Sequence, residues 1–188
     1  AACYPTYQEL ADDPNVDAVY VSTPHPDHVA STLLCLDAGK AVLCEKPFAI
    51  NAAEARQMVE TARKNGLFLM EAMWTRFRPA MVKVRELVES GAIGEVRYVG
   101  ASIGWKAEFD PLFRLYNPDL GGGALLDAGV YPVSFASMLL GTPNVVTGAA
   151  SLGVTGVDEQ AAIALGYPSG AVASLGVTIQ AIPISVGL

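Results

Sequence analysis

Lys46 stands directly after a short apolar run, residues 41–44, and directly before Pro47. If that run is a parallel strand, Lys46 sits at its carboxyl end, where open α/β sheets place their ligand crevice, and Pro47 holds it extended or in a turn. An ammonium there can steady developing negative charge, although a solvated lysine in a turn satisfies the same spacing. Asp127 and Tyr131 are four positions apart beside Gly121-Gly122-Gly123, so on a helix they share a face, next to an entry that a ligand or another backbone can approach. A phenol titrates at about 10 when unperturbed, and a neighbouring ammonium such as Lys46 would favour its phenolate. The same spacing also fits a tyrosine with its hydroxyl tied off and a carboxylate satisfying backbone groups. Thr23-Pro24-His25-Pro26-Asp27-His28 offers free amides at a helix start to a phosphate or ribose, or is a plain strand-to-helix connection. Trp74, Arg76 and Arg78 form an aromatic and basic cluster that suits a small-molecule pocket, or equally a packed junction with solvated arginines.

Particular elements must carry these groups. Thr6 and Glu9 make a capping-box pair that opens a short helix, ended by Pro14. Residues 17–22, 41–44 and 67–70 read as short buried strands. Between them, Pro26 starts a helix with Val29, Leu33 and Leu36 on one side, ending at Gly39. Asn51 and Glu54 cap another, on which Ala55, Met58, Val59 and Ala62 recur before Gly66. Strands alternating with helices over short connections form βαβ units, whose parallel strands need helices on both faces. Residues 1–73 are therefore expected to be part of an α/β, doubly wound parallel sheet. The glycine-rich phosphate turn that opens such a sheet is missing, because the only glycine cluster, 121–123, follows no strand. Its first βα units are expected upstream of Ala1. From about Arg76 the pattern changes. Pro79 starts a helix with Met81, Val84, Leu87 and Val88 on one stripe, ended by Gly91. A long strand over 95–106 and a helix over 124–140 follow. Three β-prone runs, 143–152, 157–165 and 171–180, complete the pattern, the last two joined by Tyr167-Pro168-Ser169-Gly170. Residues 74–188 are expected to be an α+β domain with an open, mostly antiparallel sheet, truncated after a further strand-like piece that ends at Leu188.

Of the 188 residues 52% are apolar and 16% charged, a balance that builds a large core and excludes a solvating or disordered chain. A net charge of -7, with pI near 4.7, argues against nucleic acid and anionic membrane surfaces as partners. The longest apolar stretch, 124–140, is interrupted by Asp127, Gly129 and Pro132, so no membrane span is expected. Cys3, Cys35 and Cys44 make no CxxC pair, and His25 and His28 are the only imidazoles. Neither a disulfide framework nor a metal centre is implied, and reduced thiols in a cytoplasm are expected. The chain begins at Ala1 without Met or leader, which leaves its targeting unread.

Four motifs stand in order: Ser22-Thr23-Pro24 with His28, then Cys44-Glu45-Lys46-Pro47-Phe48, then Glu71-Ala72-Met73-Trp74-Thr75-Arg76-Phe77-Arg78-Pro79, then Gly121-Gly122-Gly123-Ala124-Leu125-Leu126-Asp127-Ala128-Gly129-Val130-Tyr131-Pro132. Together they closely resemble the glucose-fructose oxidoreductase, inositol dehydrogenase and MocA family over essentially the whole chain. The Met-Trp-Thr-Arg-Phe stretch and the Tyr closing the last motif resemble its dihydrodiol dehydrogenase and NADP-dependent xylose dehydrogenase branch. The resemblance implies a partial Rossmann domain binding NAD or NADP, and a second domain whose open sheet makes a homodimer or higher homo-oligomer. It implies hydride transfer between nicotinamide and a sugar or cyclic diol. Lys46 and Tyr131 would be the catalytic pair, and Asp127 would position substrate or Lys46. By the same resemblance Thr23, Pro24, His28, Glu45, Lys46, Trp74 and Arg76 would line the cofactor, and Trp105 with Trp74 would line the substrate. Taken alone, a chain without the glycine-rich turn would keep its catalytic residues and lack its cofactor grip. Two rivals remain: a non-catalytic sugar-binding or scaffolding paralogue, and a Schiff-base enzyme acting through Lys46. A short-chain dehydrogenase would need Lys four residues after the Tyr, where Phe135 stands.

Overall fold

A computed structural model describes residues 2–183 of the chain, so the strand-like piece expected at the end of the sequence lies largely outside the described residues. The chain divides into two compact units between Ala72 and Met73.

In the first unit, helix α1 (Tyr7–Asp12) begins at Thr6, whose Oγ1 accepts the Glu9 amide at 3.2 Å. Strands β1 (Ala18–Val21), β2 (Ala41–Cys44) and β3 (Leu69–Glu71) alternate with helices α2 (His28–Asp37) and α3 (Ala52–Asn65). Helix α3 is closed at both ends by its own sequence. Asn51 Oδ1 accepts the Glu54 amide at 3.0 Å, and Gly66, at φ +65°, returns its amide to Ala62 and Arg63. The strands form a parallel sheet in the order β1-β2-β3, with Val42 opposite Val19 and Leu69. Val21, Val42 and Cys44 pack with Cys35 and Leu36 of α2 and Met58 and Ala62 of α3. The two helices also pack against each other, so they share one face of the sheet rather than dividing between two. Right-handed crossovers that all advance in the same direction require this. The third strand starts two residues later than its apolar run, since Leu67 gives its amide to Ala62 and closes the helix instead.

In the second unit, helix α4 (Pro79–Glu89) leads to strand β4 (Tyr98–Gly104). Helix α5 (Val130–Leu140) and strands β5 (Val145–Leu152), β6 (Asp158–Gly166) and β7 (Val172–Thr178) follow. The sheet order is β4-β7-β6-β5. Its β7-β6 and β6-β5 pairs are antiparallel, whereas β4 runs parallel to β7. The long connection through α5 permits that pairing, which a hairpin could not. Val99, Leu165, Ala173 and Leu175 face α5 and pack with Ala136, while Ser102, Ala162, Ala164 and Ser174 lie on the open face. The strand expected over 95–106 is regular only from Tyr98 to Gly104, with a single further bridge from Lys106 to Gln180.

The helix expected over 124–140 is not one continuous α-helix. Residues Leu125–Gly129 form a π-turn that runs into α5. Pro132 explains the break, because its ring clashes with the carbonyl four residues back in an α-helix and a widened turn relieves that clash. By length and composition the helical run Pro118–Leu140 is apolar enough to cross a membrane, at a mean hydropathy of 1.4. Ala124, Ala128 and Ala136 on it are fully buried, whereas Leu125 and Val133 are exposed. Replacing the α3 cap is the test of local encoding in the first unit. Asn51→Ala should cost about 1 kcal/mol of stability in urea unfolding and Asn51→Asp almost nothing.

Candidate active site

Parallel strands deliver their following loops to the same end of a sheet, so β1 and β2 bring residues 22–27 and 45–50 together at one edge of the first unit. The β ladder continues past both strands, with the Glu45 amide on Val21 O at 2.9 Å and the Ala72 amide on Cys44 O at 2.7 Å. His28, fully buried, sits behind these loops with Nδ1 2.8 Å from Pro47 O and Nε2 3.0 Å from Thr23 O. Both partners are acceptors; a neutral ring donates to one and a doubly protonated ring to both. The ring ties the Thr23 loop to the Lys46-Pro47 loop from inside.

Glu45 is fixed on both oxygens. One accepts the Tyr20 hydroxyl and the other the Lys46 amide at 3.0 Å. The Glu45 carboxylate pushes the Tyr20 phenol above its ordinary range by accepting that hydrogen bond. Glu71, at the end of β3, accepts the Phe48 amide at 3.0 Å and holds the far side of the same loop. Lys46 is half-buried, and its bond to Pro47 is cis. Thr23 Oγ1 is buried and has no hydrogen-bond partner among the described residues, whereas Pro24 is exposed. Cys44 is not a nucleophile, because burial pushes its thiol up to about 11.

In the second unit, side chains of the 3-10 turn Trp74–Phe77 reach residues of α5. Trp74 Nε1 donates to Tyr131 Oη at 3.0 Å. Arg76 grips Ser134 twice, through Nε to Oγ at 2.8 Å and through Nη2 to O at 3.0 Å. The half-buried Arg76 thus joins two elements of this unit through its fork. A cavity of about 420 Å³ opens beside Tyr131, with Thr75, Arg76 and Ser134 as polar lining and Ile103, Phe135 and Met138 as apolar lining. Trp105 stands past the end of β4, at 36% exposure, and is not part of that lining.

Asp127, 5% exposed, accepts from Arg114 Nη1 at 2.7 Å. Arg114 and Ser134 had no signal in the spacing, since each acts across more than a dozen residues of sequence. At two of the three clustered glycines the chain itself takes the space, by backbone at Gly122 and by the Asp158 carboxylate at Gly123. A Cβ on Gly122 would lie 2.8 Å from both Asn117 O and Leu115 O, and one on Gly123 would lie 2.3 Å from Asp158 Oδ1. Asp158 Oδ2 in turn accepts the Leu125 amide at 2.7 Å, compensating the positive end of the helical run that carries Tyr131.

The family model of the GFO/IDH/MocA C-terminal domain matches residues 81–183, and that of an oxidoreductase family with an NAD-binding Rossmann fold matches residues 1–73. Trans-1,2-dihydrobenzene-1,2-diol dehydrogenase of Mus musculus is 47% identical over 169 residues, which is 89% of this chain and 50% of that protein. D-xylose 1-dehydrogenase (NADP(+)) of Hypocrea jecorina is 45% identical over 185 residues, 89% of this chain and 47% of that protein. The crystal structure of aldose-aldose oxidoreductase from Caulobacter crescentus complexed with glycerol superposes with a TM-score of 0.88 at 34% identity, covering 95% of this chain and 55% of that one. The chain spans about half the length of the relatives it matches.

Two outcomes check this geometry. Gly122→Ala should destabilise the protein by about 1–3 kcal/mol, because the crowding atoms are backbone and cannot swing aside; an unchanged melting temperature would contradict the packing. Alkylation at neutral pH should label exposed Cys3 and spare Cys35 and Cys44 until the protein unfolds.

Proposed function

The chain belongs to the Gfo/Idh/MocA oxidoreductase family, and on that premise we propose that it carries the catalytic residues of an enzyme moving a hydride between NAD or NADP and the hydroxyl-bearing or carbonyl carbon of a small sugar or cyclic diol. One observation carries this reading: Tyr131 lines a cavity of about 420 Å³ while an indole donor holds its phenolic oxygen. That cavity is of the size small-ligand sites use, with a few polar groups over an apolar floor. The relatives named above act, by their names, on a cyclic diol and on a pentose.

In this reading Tyr131 exchanges a proton with the substrate oxygen. Lys46 supplies an ammonium that steadies the developing alkoxide. Asp127, held by Arg114, keeps the first turn of the catalytic helix in place and orients substrate or Lys46. Trp74 reaches the site through its bond to Tyr131, and Trp105, outside the cavity lining, is assigned to the substrate side by the family resemblance alone. A bound nicotinamide supplies the hydride acceptor in one direction and the donor in the other. The loops after β1 and β2 fit such a group. The unpartnered, buried Thr23 Oγ1 is a polar atom awaiting a ligand, and Pro24, Glu45 and Lys46 stand with it at the carboxyl ends of the strands. His28 fixes those loops from behind. The exposed strand β5 and the open face of its sheet support a homodimer or higher homo-oligomer. Widely spaced cysteines without a disulfide accord with a cytoplasmic protein.

Absorbance at the reduced-nicotinamide band of the full-length protein is the test, with NADP or NAD and D-xylose, glucose or a cyclic trans-diol. Turnover is expected with one pairing, and Tyr131→Phe and Lys46→Ala should each lower kcat by about 10²- to 10⁴-fold with folding intact. Activity untouched by both substitutions would overturn the assigned roles. A folded, cofactor-binding protein without turnover would instead favour a binding paralogue.

A further inference from the structure

An indole N–H has a proton to give and no lone pair with which to accept. The 3.0 Å bond between Trp74 Nε1 and Tyr131 Oη therefore has only one sense, with the phenolic oxygen as acceptor. The phenol's own proton is consequently directed to a partner other than Trp74. When that proton leaves, the indole donor stays on an oxygen that has become charged, and the bond passes from the neutral to the stronger charge-assisted class. The rings meet edge to face, with centroids 6.0 Å apart at 71°, a stable aromatic arrangement that keeps the N–H aimed at the oxygen.

Two arginines hold the indole in register. The Arg78 guanidinium carbon lies 5.5 Å from the centre of the Trp74 ring, where a cation is attracted to the π face and polarises the N–H toward a better donor. Arg76 binds Ser134 through two hydrogen bonds. Ser134 lies three residues beyond Tyr131 on α5, and Arg76 two residues beyond Trp74 on the turn. The same two elements are therefore joined twice, and the second join is charged and forked, so the Trp74–Tyr131 distance does not depend on one soft contact.

We propose that Trp74 is a positioning residue for proton transfer: its indole N–H holds the Tyr131 oxygen, sets the direction of the phenolic proton and stabilises the phenolate. The proposal rests on the dehydrogenase reading, in which Tyr131 transfers the proton. In carbonyl reduction the Tyr131 O–H bond breaks, the proton passes to the substrate oxygen as the carbonyl carbon takes a hydride from reduced nicotinamide, and the electron pair remains on the phenolate facing Trp74. Oxidation of the alcohol reverses each of these movements.

The test uses the full-length protein with the nicotinamide and substrate pairing that turns over. Trp74→Phe keeps an aromatic ring and removes the donor, and it should lower kcat about 10- to 100-fold with KM little changed, as expected for a hydrogen bond to a charged oxygen. Arg78→Met, which leaves the indole in place, should lose part of that factor in the same parameter. In the Tyr131→Phe background, Trp74→Phe should cost nothing further, because the oxygen it serves is gone. A cofactor-free reading accompanies these: in Trp105→Phe protein the remaining indole N–H proton resonance should move upfield and exchange faster with water once Tyr131→Phe is added. An undiminished kcat in Trp74→Phe, a rise in KM alone, or multiplying losses in the double variant would overturn the proposal. An indole resonance blind to Tyr131→Phe would overturn the bond itself. Absence of turnover in the unsubstituted protein would overturn the dehydrogenase reading and, with it, the catalytic meaning of the bond.

Discussion

Backbone carbonyls of Arg114, Leu115 and Asn117 close over Gly122 at distances that exclude a side chain, and the Asp158 carboxylate fills the space beside Gly123. That close approach sets the second unit in order. It fixes where the helical run begins, since Asp158 reaches the Leu125 amide only from that position. It also brings Arg114 within reach of the buried Asp127 carboxylate. The placement of Tyr131 follows, because the π-turn and α5 extend from this start and Pro132 forbids the ordinary α register between them. A helix without the glycine entry would deliver the same residues to a different height above the sheet.

The first unit relies on a different constraint, a parallel ladder that continues beyond its strands and places two loops side by side. A buried imidazole between the carbonyls of Thr23 and Pro47 keeps the loops at one spacing, and the carboxylates of Glu45 and Glu71 take the backbone amides of Lys46 and Phe48. Lys46 therefore sits on backbone held by three side chains. In both units the groups proposed to touch ligand, Lys46, Tyr131 and Trp74, are partly exposed, and the groups that hold them, His28, Asp127 and Gly123, are buried. This division matches what precise chemistry demands of a scaffold.

Much of this was legible in the sequence wherever the determining interaction was local. The Asn51 and Glu54 cap, the Gly66 stop, the three short parallel strands and the change to an open, mostly antiparallel sheet after Arg76 all follow from periodicity and turn chemistry. The four ordered motifs identified the family that the comparisons then showed. Departures arose where a distant atom decided the outcome. The run over 124–140 has helical periodicity throughout, but a proline and a carboxylate from β6 determine which turn is widened and where the helix starts. Nothing near Arg76 in the sequence announces Ser134, 58 residues on, which takes two of its donors.

The amino-acid sequence by itself determined the kinds of element, their order and the residue types available for chemistry, because helix caps, β-alternation and glycine turns are settled within a few residues. Only the tertiary structure decided which group holds which. It made His28 a tie between loops, Arg114 the partner of Asp127, and Trp74 the donor to Tyr131. A hydrogen bond across 57 residues depends on ångström-scale placement of two elements, and no spacing in the chain encodes that directly.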